Sequence, residues 1–419
     1  MRSWLVGVTL FLLMALVATP GFNLVGVFFP ALTRDLGWSM ARASSLFTAM
    51  VLAAAMTSPV VGRLLEISEA RSVIGAGVLA SALGFGLAGL VSSFLPMLGA
   101  YALLGIGLGM STYVPAPVLI SAWFTDRPAL ALGLVNAGQS IGIMVLTPAL
   151  TYLLAFWGWR TAIITLTLPM LLVVLPLVLL TLKAAPIQCV LESPVPMRSS
   201  FSAGVEYEGL DVSEALKTFA FWMLVTIQLG STLAGGTVFV HLFAFLISVG
   251  YKTSGAGIAL SLVGGISGVA APMVGLVTDH VGARKTLAFS FLILGVAILV
   301  LLEAHSVTTL FISIVLFSVS VGANMIIVPI LLNDTLGLKC FRLLFGILEV
   351  PFFLGVALGP LIAGWLFDFT GSYTITFRSC AVACGVCLMA SLYCTRPEQH
   401  SKARANAALE IGTRSLSEK

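Results

Sequence analysis

The chain has 419 residues, 59% of them hydrophobic and 9% charged, whereas an ordinary soluble domain carries about a quarter charged residues. A soluble globule is excluded. The net charge of +4, from 21 Lys and Arg against 17 Asp and Glu, comes without a basic stripe interleaved with aromatics, so nucleic acid is not an expected partner.

A helix needs about 20 apolar residues to cross a bilayer. Apolar runs bounded by charges or turn residues fall at 4–29, 43–65, 73–95, 97–123, 129–155, 161–182, 219–249, 255–278, 286–303, 307–333, 343–366 and 373–395, which predicts twelve spans. The first follows Arg2 and starts like a signal peptide, with small residues at Ala18 and Thr19, but it stays apolar through Phe29 and reads as a span. The one long polar segment runs from Lys183 to Lys217 and divides the chain six and six. The expected organisation is an all-α membrane protein: a six-helix bundle at 1–182, a cytoplasmic linker at 183–217, a second bundle at 218–395 and a cytoplasmic tail at 396–419.

Orientation follows from placing Lys and Arg on loops. With the N-terminus inside, inner segments hold sixteen: Arg2, Arg63, Arg71, Arg127, Lys183, Arg198, Lys217, Arg284, Lys285, Lys339, Arg342, Arg396, Lys402, Arg404, Arg414 and Lys419. Outer loops hold five, Arg34, Arg42, Arg160, Lys252 and Arg378. Both termini are therefore expected in the cytoplasm of a multi-pass protein of the plasma or inner membrane.

Sliding the second half onto the first by 213 residues, without a gap, aligns Gly37 with Gly250, Pro59 with Pro272, Gly62 with Gly275, Arg71 with Arg284, Gly109 with Gly322, Gly133 with Gly346, Gly142 with Gly355 and Gly158 with Gly371. These residues set turns and helix approach, and their recurrence at one offset marks an internal repeat. Two related six-helix halves rocking about a central site are the architecture of a secondary transporter.

Between spans 8 and 9 the sequence reads Gly275-Leu-Val-Thr-Asp279-His280-Val-Gly282-Ala-Arg284-Lys285. Here Gly275 would allow close helix contact, Asp279 would accept from helix amides or pair with an Arg, and the basic pair would anchor at anionic headgroups. This resembles the signature loop of the major facilitator superfamily. The first-half copy, Gly62-Arg63-Leu-Leu-Glu66-Ile-Ser-Glu69-Ala-Arg71, is degraded, with Glu69 in place of the second glycine. Trp123-Phe124 to Gly142, Gly158-Trp159-Arg160, His241-Leu242 and Asp368-x-x-Gly371-Ser372-Tyr373 are similar to the monocarboxylate porter and oxalate/formate antiporter branch. The resemblance implies a twelve-span facilitator fold moving a small organic monocarboxylate or related metabolite together with a proton. One departure stands out: the Asp and Arg of the branch's Asp-x-x-x-Arg-Pro motif are replaced by Ser267 and Ala271 before Pro272.

Polar groups inside spans cost free energy unless they face a cavity or a partner. Glu349, about 9 Å into span 11 at 1.5 Å per residue, reads either as a proton-carrying acid beside the helix-loosening Pro351 or as a structural hydrogen bonder. Its repeat mate is Asn136. His241 in span 7 is a candidate for substrate binding and proton coupling, or a structural histidine. Gly230, Gly235 and Gly236 upstream predict a bend. Tyr113, Asn136 and Asn324 complete the substrate-binding candidates; Asn23, Gln139 and Gln228 are weaker ones. Gly62, Glu66, Arg71, Gly275, Asp279, Gly282, Arg284 and Lys285 are expected to act in gating. Gly105, Gly107 and Gly109 read as a packing face, since no strand precedes them. Cys380, Cys384 and Cys387 lie in one apolar run with no His or carboxylate beside them, so no metal is expected; Cys394 at the span edge is a candidate for acylation. No ATP-binding G-x-x-x-x-G-K-[ST] loop occurs, and neither a cofactor nor an enzymatic activity is expected. The expected partners are a small-molecule substrate, a proton and the bilayer, with the chain a monomer. Two other readings stay open: efflux of amphipathic or apolar compounds, served by 26 Phe and 14 Met, and a membrane sensor that keeps the fold without transporting.

Overall fold

The computed structural model describes residues 2–112, 115–116, 119–120, 128–182, 210–304, 306–337 and 341–395. Span 1 (residues 2–36) joins the helices Arg2–Leu13 and Val25–Leu36 through a π-helical stretch, Met14–Asn23. Span 2 is Met40–Ile67, span 3 Ala70–Leu90, and span 4 begins as Phe94–Ser111. Spans 5 and 6 run from Pro128 to Thr181, separated at Gly158, with a π-helical turn Met170–Val174 inside span 6. Span 7 is Phe219–Ser231 and Thr237–Ser248 joined by the π-helical turn Thr232–Gly236. Spans 8 to 12 are Thr253–Val281, Ala283–Leu302, Val307–Leu336, Phe341–Thr370 and Thr374–Tyr393.

Ten helical stretches among the described residues are long and apolar enough to cross a membrane. One of them, Gly133–Thr181, covers both span 5 and span 6, and span 10 adds the shorter apolar stretches Val307–Val321 and Ile327–Leu336. The total agrees with the twelve expected. The turns that fold neighbouring spans back recur at the repeat offset: Gly37 and Gly250, and Gly158 and Gly371, all have φ between 65° and 96°, where a side chain is strained.

Within the first half, spans 3 and 4, 2 and 4, and 1 and 5 pack together; within the second, 9 and 10, 9 and 12, and 8 and 10 do. A Cβ at Gly105, Gly107 or Gly109 would run into the backbone of Met50, Ser81 or Ala54, so this glycine run lets span 4 lie directly against spans 2 and 3. Span 12 packs on span 7 through its cysteines. The thiols of Cys380, Cys387 and Cys394 point at the carbonyls of Leu233, Thr226 and Ala220 at 3.8–3.9 Å. Cys394 is buried against Ala220, which removes it as an acylation site. Cys189 and Cys340 lie outside the described residues.

The segment read as linker is described from residue 210 onward. Val212–Ala215 is a short helix with an Asp211/Glu214 capping box, and the Leu210 amide donates to the Leu336 carbonyl at the end of span 10. Leu210 and Ala215 are buried where this end of the segment meets the second half.

Candidate functional site

Among the described residues the two halves pack mainly along three pairs of spans, 1 with 7, 2 with 11 and 5 with 8, and the close contacts cluster toward one end. On span 11, the face toward span 2 carries Gly364 and Ala357. A Cβ at Gly364 would strike Ser44 and the Met40 carbonyl, and the Thr48 hydroxyl donates to the Ala357 carbonyl at 2.6 Å. On span 8, Gly257 and Gly264 abut Thr151 and Ile143 of span 5. Eleven residues past Gly264, again on the same face, a Cβ at Gly275 would meet nothing within 4 Å. Among the described residues the halves are thus closed together at the end bearing Gly37, Gly250 and Gly371, and no such contact is seen at the end bearing the signature loop, here called the parted end.

The closed end is held by side chains the sequence reading did not single out. Asp368, at the end of span 11, accepts from the amides of Met40 (2.6 Å) and Ala41 (2.7 Å), the first residues of span 2. A carboxylate on a helix N-terminus is the charge arrangement the helix dipole favours, and here it ties one half to the other. The signal was present in the sequence as the Asp368-to-Tyr373 motif, but nothing in it named the partner helix.

His241 sits in the same closure and is fully buried (0% exposed). Its Nε2 lies 2.9 Å from the Pro360 carbonyl and 3.4 Å from Ser44 Oγ, and its Nδ1 lies 3.1 Å from the Tyr373 hydroxyl. The carbonyl can only accept, so Nε2 carries the proton and Nδ1 accepts from Tyr373. Phe29 of span 1 covers the ring at 5.5 Å between centroids. Of the two readings of His241, substrate and proton site or structural histidine, the packing of Phe29, Ser44, Pro360 and Tyr373 around it matches the second in this conformation.

Glu349 lies at the parted end, eight residues or about 12 Å from the start of span 11. Leu354, Leu358, Ile362, Trp365 and Phe369 form an exposed apolar stripe on this helix. Nine residues separate Glu349 from Leu358, which at 100° per residue is half a turn of azimuth, so the carboxyl faces the bundle interior. It is half-buried and has no hydrogen bond or ion pair among the described residues. Asn136, its repeat mate, is exposed on the span 5 face that further along carries Ser140 and Ile143 against span 8. Both groups therefore stand where the halves diverge.

Spans 1 and 7 carry π-helical turns at the same repeat position. Thr19 and Thr232 are repeat mates; Thr19 donates to the carbonyls of Met14 and Gln139 (3.0 and 3.2 Å), and Thr232 to that of Gln228 (2.9 Å). Each hydroxyl sits in the space left by a glycine, Gly142 of span 5 or Gly355 of span 11, where any Cβ would overlap it. The bend expected from Gly230, Gly235 and Gly236 is realised as the π turn Thr232–Gly236. Asn23 closes the span 1 turn, one turn before Gly26, which abuts the Val240 carbonyl of span 7. Its buried Nδ2 has no hydrogen-bond partner among the described residues.

Tyr113 lies outside the described residues, and so do the side chains of Gly62, Glu66, Asp279 and Asn324. Arg71 pairs with Glu69, while Arg284 and Lys285 are exposed at the start of span 9, after Gly282 at φ 93°. Among the described residues nothing lies within 4 Å of a Cβ built at Gly275, so the close helix contact expected of it is not seen in this conformation.

A family model described as Major Facilitator Superfamily matches residues 11–269 and 251–418. Monocarboxylate transporter 12 of Xenopus laevis is 30% identical over 329 residues, 73% of this chain and 69% of that one. Monocarboxylate transporter 11 of Homo sapiens is 29% identical over 374 residues, covering 84% and 74%. Monocarboxylate transporter 12-B of Danio rerio is 28% identical over 310 residues, and the match spans 63% of its length. A crystal structure of a bacterial homologue of the human lysosomal transporter Spinster, inward-facing and occupied, superposes with a TM-score of 0.75 at 16% identity over 96% of this chain and 97% of that one; at that identity the likeness speaks for the fold alone. The chain belongs to the major facilitator superfamily, in its monocarboxylate-transporter-like branch, a family of membrane carriers and not of enzymes.

Proposed function

We propose that this chain moves a small organic monocarboxylate across the membrane by alternating access, in symport with a proton that Glu349 takes up and releases. The observation that carries the reading is the Glu349 carboxyl, without a partner among the described residues and turned from the exposed apolar stripe of span 11 toward the bundle interior. A carboxylate in that setting is costly when ionised and unpaired, so protonation is tied to whether water or a closed helix interface surrounds it. The count of sixteen inner against five outer cations makes the parted end cytoplasmic, and the chain works as a monomer of two halves, 1–182 and 218–395.

Substrate recognition falls to neutral donors. Ser267 and Ala271 provide no cation in span 8, and the Ser267 hydroxyl is engaged with the Ser318 carbonyl at 3.1 Å. Asn23 Nδ2 and Asn136, with Tyr113 and Asn324, supply amide and hydroxyl groups instead. His241 contributes only once the closed end opens; until then it is part of the gate.

Uptake of labelled monocarboxylates into proteoliposomes, with and without an acid-outside gradient, tests this. Gradient-stimulated accumulation is expected. Transport confined to neutral or cationic amphiphiles would overturn it in favour of efflux, the reading that the missing span 8 cation supports.

A further inference from the structure

The repeat relates two helix starts at the closed end, and only one of them is capped from within the protein. At the junction of spans 2 and 11, Ser39 caps span 2 and Asp368 receives the Met40 and Ala41 amides. The offset that places Gly142 on Gly355 carries Met40 and Ala41 onto Thr253 and Ser254, which open span 8, and Asp368 onto Ala155 of span 5. Ala155 has no carboxylate to offer. Lys252 occupies the cap position with no side-chain cap hydrogen bond and no ion pair among the described residues.

At that second junction lies a groove of about 550 Å³ lined by Ala155, Tyr152 and Phe156 on one half and by Lys252, Ser254 and Ile258 on the other, a size that suits a small-molecule or lipid ligand. Its walls are apolar: Tyr152 and Phe156 are 58% and 68% exposed with ring centroids 4.6 Å apart, and Ile258 is also exposed. Both flanking helices are long and apolar enough to cross a membrane, and Lys252 directly precedes span 8, so its ammonium and the span 8 amides are expected at headgroup level with the apolar walls beside the acyl chains.

We propose that this groove binds one anionic glycerophospholipid, its phosphate standing where the Asp368 carboxylate stands at the related junction and an acyl chain lying along Tyr152, Phe156 and Ile258. The charge fits: Lys252 and a helix start with no side-chain cap both favour an anion, and the apolar walls select a lipid over free phosphate. The site spans the two halves directly beside the Thr151–Gly257 contact, so it is whole only while this end is closed. Binding that requires one conformation favours it, and the lipid holds the closed end shut.

The test uses the full-length protein in mixed micelles, with phosphatidylglycerol and phosphatidylcholine of identical acyl chains, read by native mass spectrometry. Retention of phosphatidylglycerol several-fold above phosphatidylcholine is expected. Lys252→Gln should lower that preference, and Ala155→Asp should abolish it by supplying the missing carboxylate. Spin labels on Arg34→Cys and Arg378→Cys, one on each half, report closure in nanodiscs. Phosphatidylglycerol should enrich the short-distance population in the wild-type background, and Ala155→Asp should do so in phosphatidylcholine alone. Equal retention of the two lipids, or an undiminished preference in Ala155→Asp, would overturn the site. Binding that leaves the distances unchanged would overturn its role in closure.

Discussion

The two halves share a scaffold but not its chemistry. Thr19 seated at Gly142 and Thr232 seated at Gly355 repeat the same π turn and the same glycine socket, and the left-handed glycines at the turns repeat as well. Three polar groups do not. Glu349 faces Asn136 across the repeat, His241 faces Phe28, and Asp368 faces Ala155. The repeated residues named here set turns and helix approach, which two halves rocking as proposed would both need; the unrepeated ones are the polar groups to which we assign proton and gate, which would need to be present once.

The largest effect should come from levelling the Glu349 and Asn136 pair. Glu349→Gln keeps the shape and removes the exchangeable proton, so gradient-driven accumulation should fall by roughly a hundred-fold, the scale on which loss of a proton-transferring group is felt. Substrate exchange, which needs no net proton movement, should persist. Accumulation measured across pH 5 to 8 that matches wild type would remove Glu349 from coupling.

Asp368→Asn comes next. It takes the charge from two short hydrogen bonds that join the halves, and charge-assisted bonds contribute about 1.5–3 kcal/mol. Loss at the low end of that range shifts the balance of closed and open forms about ten-fold. Labels on Arg34→Cys and Arg378→Cys should then show a longer mean distance. A distribution identical to wild type would mean that apolar packing around Ser44 and Gly364 holds the gate by itself.

Smaller and matched effects are expected at the sockets. Gly142→Ala and Gly355→Ala each force a methyl into a threonine hydroxyl and a nearby carbonyl, an overpacking cost of about 1–3 kcal/mol. Thermal unfolding in detergent should fall by similar amounts for both. A large drop for one and none for the other would show that the scaffold, too, is unequal.

Much of this scaffold was legible in the sequence because it is written in residues with few roles. Glycine at a turn or a helix crossing, and apolar runs of membrane length, have narrow physical readings, and the offset of 213 tied them together. Glu349 was legible for the same reason, a carboxylate being rare inside a span. The gate was not, because its meaning lies in pairings between spans far apart in the chain: nothing local to Asp368 says that it reaches Met40, and nothing local to His241 says that Pro360 and Tyr373 enclose it. Asn23 reads from sequence like any interhelical amide, and only the structure shows its Nδ2 buried with no partner among the described residues.

Gly275 and Gly355 give the smallest and sharpest contrast, since both read as small residues that let helices approach. In this conformation only Gly355 does so; a Cβ at Gly275 would meet nothing within 4 Å. Gly275→Ala should therefore leave unfolding unchanged or raise it slightly, because alanine is favoured over glycine inside a helix by up to about 1 kcal/mol. If the parted end closes during transport, however, the span 8 face that carries Gly275 must meet span 5, as its continuation through Gly264 and Gly257 already does at the other end. The added methyl would then obstruct that step. Normal stability with slowed substrate exchange is the expected result for Gly275→Ala, against lowered stability for Gly355→Ala. Unimpaired exchange in Gly275→Ala would show that the halves never close tightly on this face.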